Sequence, residues 1–124
     1  MSLTREQILA ADDLQIKEIE VPEWGGVTYV RSINAADYAD YVRGNVAADG
    51  KATMDNYIAR YCAFAICDSK GERLFTDADA EALGKKYSTV MARIYDEAKK
   101  LNGDDYEGLE KNSEATPSGD SDSD

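Results

Sequence analysis

Histidine is absent from this 124-residue chain. With it goes the commonest general base and metal ligand. Cysteine is scarce: Cys62 and Cys67 are the two present, too few for the disulfide framework of a small secreted domain. A reducing cytoplasm is therefore the expected compartment. No apolar run approaches the ~18 residues that a membrane helix needs. The opening Met1-Ser2-Leu3-Thr4-Arg5-Glu6 is polar, so no secretory leader is expected. Cations are in the minority, 14 Lys and Arg against 25 Asp and Glu, for a net charge of −11. Neutralising phosphates needs clustered Lys and Arg, so neither nucleic acid nor an anionic membrane surface is expected as a partner.

What remains is enough for one modest core: 43% of residues are hydrophobic. The length suits a single domain, expected over residues 1–103. Residues 104–124 differ in kind. They hold eight acids against Lys111 alone, a net −7, whereas the other 103 residues carry 17 acids and 13 bases. From Asn112 to Asp124 no large apolar residue occurs. Such a segment cannot bury enough surface to offset its chain entropy, so a flexible acidic tail is expected over 104–124.

The fold class expected is α+β, mostly helical, with an N-terminal β-hairpin packed against four to five helices. Thr4-Arg5-Glu6-Gln7 has the form of a capping box and opens a helix over about 4–11. Leu14–Val21 is rich in Ile and Val and reads as a strand. Its alternation conflicts: Leu14 and Ile16 share one parity, Ile19 and Val21 the other. A bulge or a late start would resolve this. Pro22-Glu23-Trp24-Gly25-Gly26 makes the turn, and Val27–Ser32 returns, so the hairpin covers about 14–32. Asn34 caps a helix over about 35–44 with Tyr38, Tyr41 and Val42 as its apolar stripe. The spacing of Met54, Tyr57, Ile58, Tyr61, Cys62 and Ala65 predicts a helix over about 54–66, the most buried one. A short helix over about 77–84 opens with a cap and acids at its positive end. The last helix, about 86–101, has a stripe of Tyr87, Val90, Met91, Ile94, Tyr95, Ala98 and Leu101, with Gly103 as its stop.

Candidate chemistry is thin. Cys62 is expected on an inward helical face and Cys67 at that helix's end, both as core thiols. Asp77-Ala78-Asp79-Ala80-Glu81 resembles the start of a calcium loop, but Ala82 stands where the loop needs glycine. Gly25-Gly26 is a turn and not a phosphate loop. No catalytic residue, metal or cofactor is therefore expected, and the chain reads as a binding protein. Trp24 is the feature that packing explains least well. A tryptophan in a hairpin turn either folds back on the sheet or meets a partner. Trp24, Tyr38 and Tyr41 are the candidate partner contacts.

The order of parts resembles one family. The opening Leu3–Asp13, the strand into Val21-Pro22-Glu23-Trp24-Gly25-Gly26, and Val27-Tyr29-Val30 are followed by Leu74-Phe75-Thr76-Asp77-Ala78-Asp79 and Ala82–Lys86. Leu101-Asn102-Gly103 and Glu110–Ser113 complete the set. Together they resemble the tail assembly chaperones of phages with long non-contractile tails. The resemblance implies a protein that binds the tape measure protein, keeps it soluble and helps recruit the tail tube protein. It implies work in the host bacterial cytoplasm and absence from the mature virion. It also implies the short form of a pair, the longer made by a frameshift, which is itself a possible partner along with further copies of the chain. Two other readings stand beside it: an acidic regulator mimicking DNA, and a structural head–tail connector component.

Overall fold

Pairing within the hairpin decides which residues are left outside. In the computed structural model, which describes residues 1–103, β1 (Ile16–Val21) pairs antiparallel with β2 (Gly26–Arg31). The register is continuous from Ile16 opposite Arg31 to Val21 opposite Gly26. The strand thus has no bulge: it starts late, which leaves Leu14 outside it, and Ile16 sits on its outer face. Leu14 is exposed and precedes the strand. Beyond Ile16 the pairing is finished by Ser32: its hydroxyl accepts from the Gln15 amide at 3.0 Å, and its own amide donates to the Gln15 carbonyl at 2.8 Å. Ile19, Val21 and Val30 point into the core, and Ile16 and Val27 point away from it. The tail expected over 104–124 lies outside the described residues.

Five helices and a three-stranded antiparallel sheet make up the described chain, so the α+β class holds. α1 (Arg5–Ala10) has the expected capping box, with the Gln7 amide donating to Thr4 Oγ1 and the Thr4 amide to Gln7 Oε1. None of its residues is buried. α2 (Ala35–Arg43) is capped by Asn34, whose Oδ1 accepts from the Asp37 amide at 2.8 Å. α4 (Ala80–Leu83) follows a 3₁₀ turn at Asp77–Asp79, so the helix expected over 77–84 is split between two geometries.

The helix expected over 54–66 is shorter. α3 spans Tyr57–Ala65. Its start is delayed because Thr53 Oγ1 takes the Asp55 amide and Asn56 adopts a left-handed conformation at φ 51°, a local side-chain turn that competes with helix. Met54 is consequently exposed and not part of the stripe. At the other end Ile66–Cys67 leave the helix as β3, pairing with β2 through Val30↔Ile66 and Tyr29↔Cys67. A free edge of β2 was available, and the β-branched Ile66 suits it. α3 is nonetheless the most buried helix, with Ala59 and every residue of Tyr61–Ala65 inside. Ile58 is half-buried.

α5 spans Ser88–Leu101, two residues shorter than expected. The amides of Lys85 and Lys86 close turns on Ala82 and Leu83, so Tyr87 is the exposed residue ahead of the helix and not part of its buried face. Val90, Met91, Ile94, Tyr95 and Ala98 face the core. α5 packs on α3 and on the inner face of the hairpin. Asn102 locks its end, accepting from the Ile33 amide at 2.7 Å and donating to the Arg31 carbonyl at 3.3 Å.

Tyrosines stitch α2, α3 and α5 together. Tyr41 and Tyr61 meet edge to face at 5.2 Å, and Tyr61 and Tyr95 at 5.3 Å. Each such pair contributes roughly 0.5–1.5 kcal/mol beyond its buried area. Arg60 lies over the Tyr41 ring at 5.1 Å and Arg73 over Phe64 at 4.2 Å.

Candidate interaction surface

The turn carrying Trp24 is built, not loose. Pro22–Trp24 forms a 3₁₀ turn closed by Gly25, whose φ of +76° needs glycine and whose amide donates to the Pro22 carbonyl at 3.0 Å. Glu23 is gripped from α5. Arg93 Nη1 donates to Glu23 Oε1 at 2.8 Å, and Nη2 to Oε2 at 2.6 Å. This two-pronged pair holds the Glu23 carboxyl down at about 2, against an ordinary 4.5, chiefly through the arginine hydrogen bonds. The turn is thus fastened to the helix while its tryptophan is 43% exposed.

Trp24 opens onto an apolar groove of about 420 Å³. Val27, Leu74 and Phe75 line it with Trp24, and the buried Ile66 and Leu83 form part of its floor. Val27 is 50% exposed and Leu74 55%. Asp79 and Lys86 stand at its rim. Asp79 is already engaged, since its carboxylate accepts from the Thr76 amide at 2.7 Å as a helix-start cap. Asp79 thus has the helix-start role expected of the acids in this segment.

The two other candidate contacts lie elsewhere. Tyr38 and Tyr41 are on α2 and neither lines the groove. Tyr38 is exposed, its ring 6.0 Å from Tyr41. Tyr41 is buried between Tyr61 and Phe64 and belongs to the core. Helical spacing placed it on a stripe but could not say whether another helix covered that stripe. Val27 and Leu74 were missed as surface residues. The only sequence signal was the parity conflict in β1, which implied that one hairpin face carries apolar residues away from the core.

A larger cleft of about 560 Å³ lies between α2, α3 and α4. Arg60 and Asn56, which line it, are occupied by contacts within the fold. Arg60 donates to Asn45 Oδ1 at 2.5 Å and to the Tyr41 carbonyl at 2.7 Å, and Asn56 Nδ2 donates to the Ala80 carbonyl at 2.9 Å. A Cβ at Gly44 or Gly84 would crowd the ends of the Arg60 and Asn56 side chains, which would have to shift. Both cysteines are buried and unbridged. Burial pushes the Cys62 thiol up to about 12 and raises Cys67 as well, the opposite of a reactive thiolate.

The family model of phage tail assembly chaperones matches residues 4–116, nearly the whole chain. This chain belongs to the phage tail assembly chaperones. That decides against the acidic-regulator and connector readings. Among solved structures, that of the bacteriophage HK97 tail assembly chaperone is similar in fold to this chaperone. The TM-score is 0.56 at 22% identity, covering 77% of this chain and 94% of the other. No curated protein matches.

Proposed function

We propose that this tail assembly chaperone binds the tape measure protein of its phage, keeps it soluble, and helps bring tail tube subunits to it. The supporting observation is the groove beside Trp24. Three large apolar side chains from the turn, β2 and the 74–75 segment converge there on the surface. A contiguous apolar patch on a small protein marks an interaction site more than scattered exposed residues do. A tape measure protein is a long helical chain with apolar faces, and such faces are covered by helix-in-groove packing. Apolar burial would drive the contact. The acidic residues beyond Gly103 would keep loaded complexes apart by charge repulsion. Work of this kind belongs in the host bacterial cytoplasm and ends before the virion is complete, so the chaperone is expected to be absent from purified particles.

Co-expression tests it. The tape measure protein should move from the insoluble to the soluble fraction and co-purify with the chaperone, and the complex should survive moderate salt. Failure to capture any segment, with the chaperone folded by circular dichroism, would falsify the reading.

A further inference from the structure

Residues 22–25 join the two strands of the hairpin, and both ends of the connection are fixed. Val21 is buried in the core and pairs with Gly26. Between those anchors the Gly25 amide donates to the Pro22 carbonyl at 3.0 Å. A bond inside a turn closes its backbone, but it does not stop the turn from tilting as a unit. Trp24 would tilt with it.

The restraint against tilting comes from another element. Arg93 holds both Glu23 oxygens, at 2.8 and 2.6 Å. Its own place is firm, because Val90 and Ile94 beside it on α5 are fully buried. A guanidinium fork on a carboxylate sets distance and angle together, where a single contact sets distance alone. Glu23 precedes Trp24 in the chain, so the fork fixes the backbone from which the indole projects.

Holding the fold together is a lesser use of this pair. Both side chains are partly exposed, and ion pairs in contact with water add modestly to stability. α5 also grips the hairpin elsewhere. Glu97, one helical turn beyond Arg93, pairs with Lys17 of β1, and Asn102 bonds to Arg31 and Ile33. What the fork alone reaches is the turn, whose tryptophan stands part-exposed at the groove. An anchor that must be ordered on binding costs affinity, and one already in place does not.

We infer that Arg93 is a positioning residue for the interaction surface: through Glu23 it holds Trp24 at the mouth of the groove before any partner arrives. The inference rests on the tape measure reading for what is captured there.

Trp24 is the one tryptophan in the chain, so its fluorescence reports the turn directly. In the free full chain, Arg93→Gln should lower its anisotropy and raise its quenching by acrylamide, with the circular dichroism spectrum unchanged. Arg93→Lys should fall between, since lysine keeps the charge and loses the fork. Glu23→Gln should match Arg93→Gln, and the two together should do no more than either alone. Exchanging the pair, Glu23→Arg with Arg93→Glu, should restore much of the original signal. Lys17→Gln removes an ion pair between β1 and α5 and should leave Trp24 as it was. Against segments of the tape measure protein encoded by the same phage, loss of the fork should weaken capture roughly three- to tenfold, and Lys17→Gln should not. Should Arg93→Gln lose its circular dichroism signature, Glu23→Gln in the exposed turn carries the test. Unmoved anisotropy and quenching in these variants would overturn the positioning role. So would a change that Lys17→Gln reproduces, which would mean general loosening of the hairpin on α5. Undiminished capture with a loosened Trp24 would overturn it as well, by removing the turn from the capturing surface. No capture by the unchanged chain would sink the tape measure reading instead, since the fluorescence arm reads Arg93 in the free protein.

Discussion

The inner and outer faces of the hairpin are made of the same material and have opposite fates. Val30 on the inner face is 0% exposed, whereas Val27, three residues earlier in the same strand, is 50% exposed. Ile19 is buried and Ile16 is 43% exposed. Side-chain chemistry does not separate these pairs. Parity does, because alternate residues point to opposite sides of a sheet, and only one side has α5 lying against it. The comparison teaches that apolar residues on a strand mark two candidate faces. Which one becomes core depends on the helix that arrives.

The largest effect that tests this contrast is a charge on each face. Val30→Asp should unfold the protein, since an unpaired carboxylate in the core costs more than a marginal domain can spare. Val27→Asp should leave the denaturation midpoint nearly unchanged while abolishing tape measure capture. Equal losses of stability would erase the distinction between the faces.

Truncation sharpens it on the helices. Ile94→Ala, at a fully buried position, should cost about 2–5 kcal/mol in urea unfolding. Ile58 is only half-buried, so Ile58→Ala should cost about half as much or less. A reversed order would show that α3 and α5 exchange roles in the core.

Smaller still is the effect of acid on the turn that joins the faces. The folded Glu23 value of about 2 lies below the ordinary 4.5. Its ion pair therefore supports the fold above about pH 4.5, and that support is lost as pH falls toward 2. The pair is exposed to solvent, so the loss is modest. Glu23→Gln should flatten this limb of the stability–pH curve, and an unaltered limb would assign it to another carboxylate. The least perturbing measurement is thiol labelling. Cys62 and Cys67 are buried with raised values, so a thiol reagent at neutral pH should modify them only as fast as the protein opens.

Local signals were legible in the chain because they depend on neighbours in sequence. The Thr4–Gln7 box, the Asn34 cap and the Pro22–Gly26 turn each need only residues a few positions apart. The buried stripe of α5, Val90 to Ala98, was legible from its period. Two boundaries moved on local turns, at Thr53–Asn56 before α3 and at Lys85–Lys86 ahead of Tyr87. A third failed because a distant partner competed with the helix: Ile66–Cys67 left α3 for the edge of β2. The candidate contacts divided for the same reason. Trp24 was readable as a turn aromatic, but nothing near Tyr41 in sequence announced that Tyr61 and Phe64 would enclose it.

Sequence by itself determined that this protein has no histidine chemistry, one acidic end, an α+β order of elements and a membership visible in the sequence of its parts. Period, caps and composition act within a few residues, so they survive without the fold. Only the tertiary structure decided that Val27 and Leu74 share a groove with Trp24, because those residues come from a strand, a connecting segment and a turn. It also decided that Arg93 in α5 would hold Glu23 across the molecule. Those contacts span up to 70 positions of chain, and burial of Ile19, Val30 and Ile94 between them is what brings such distant residues together.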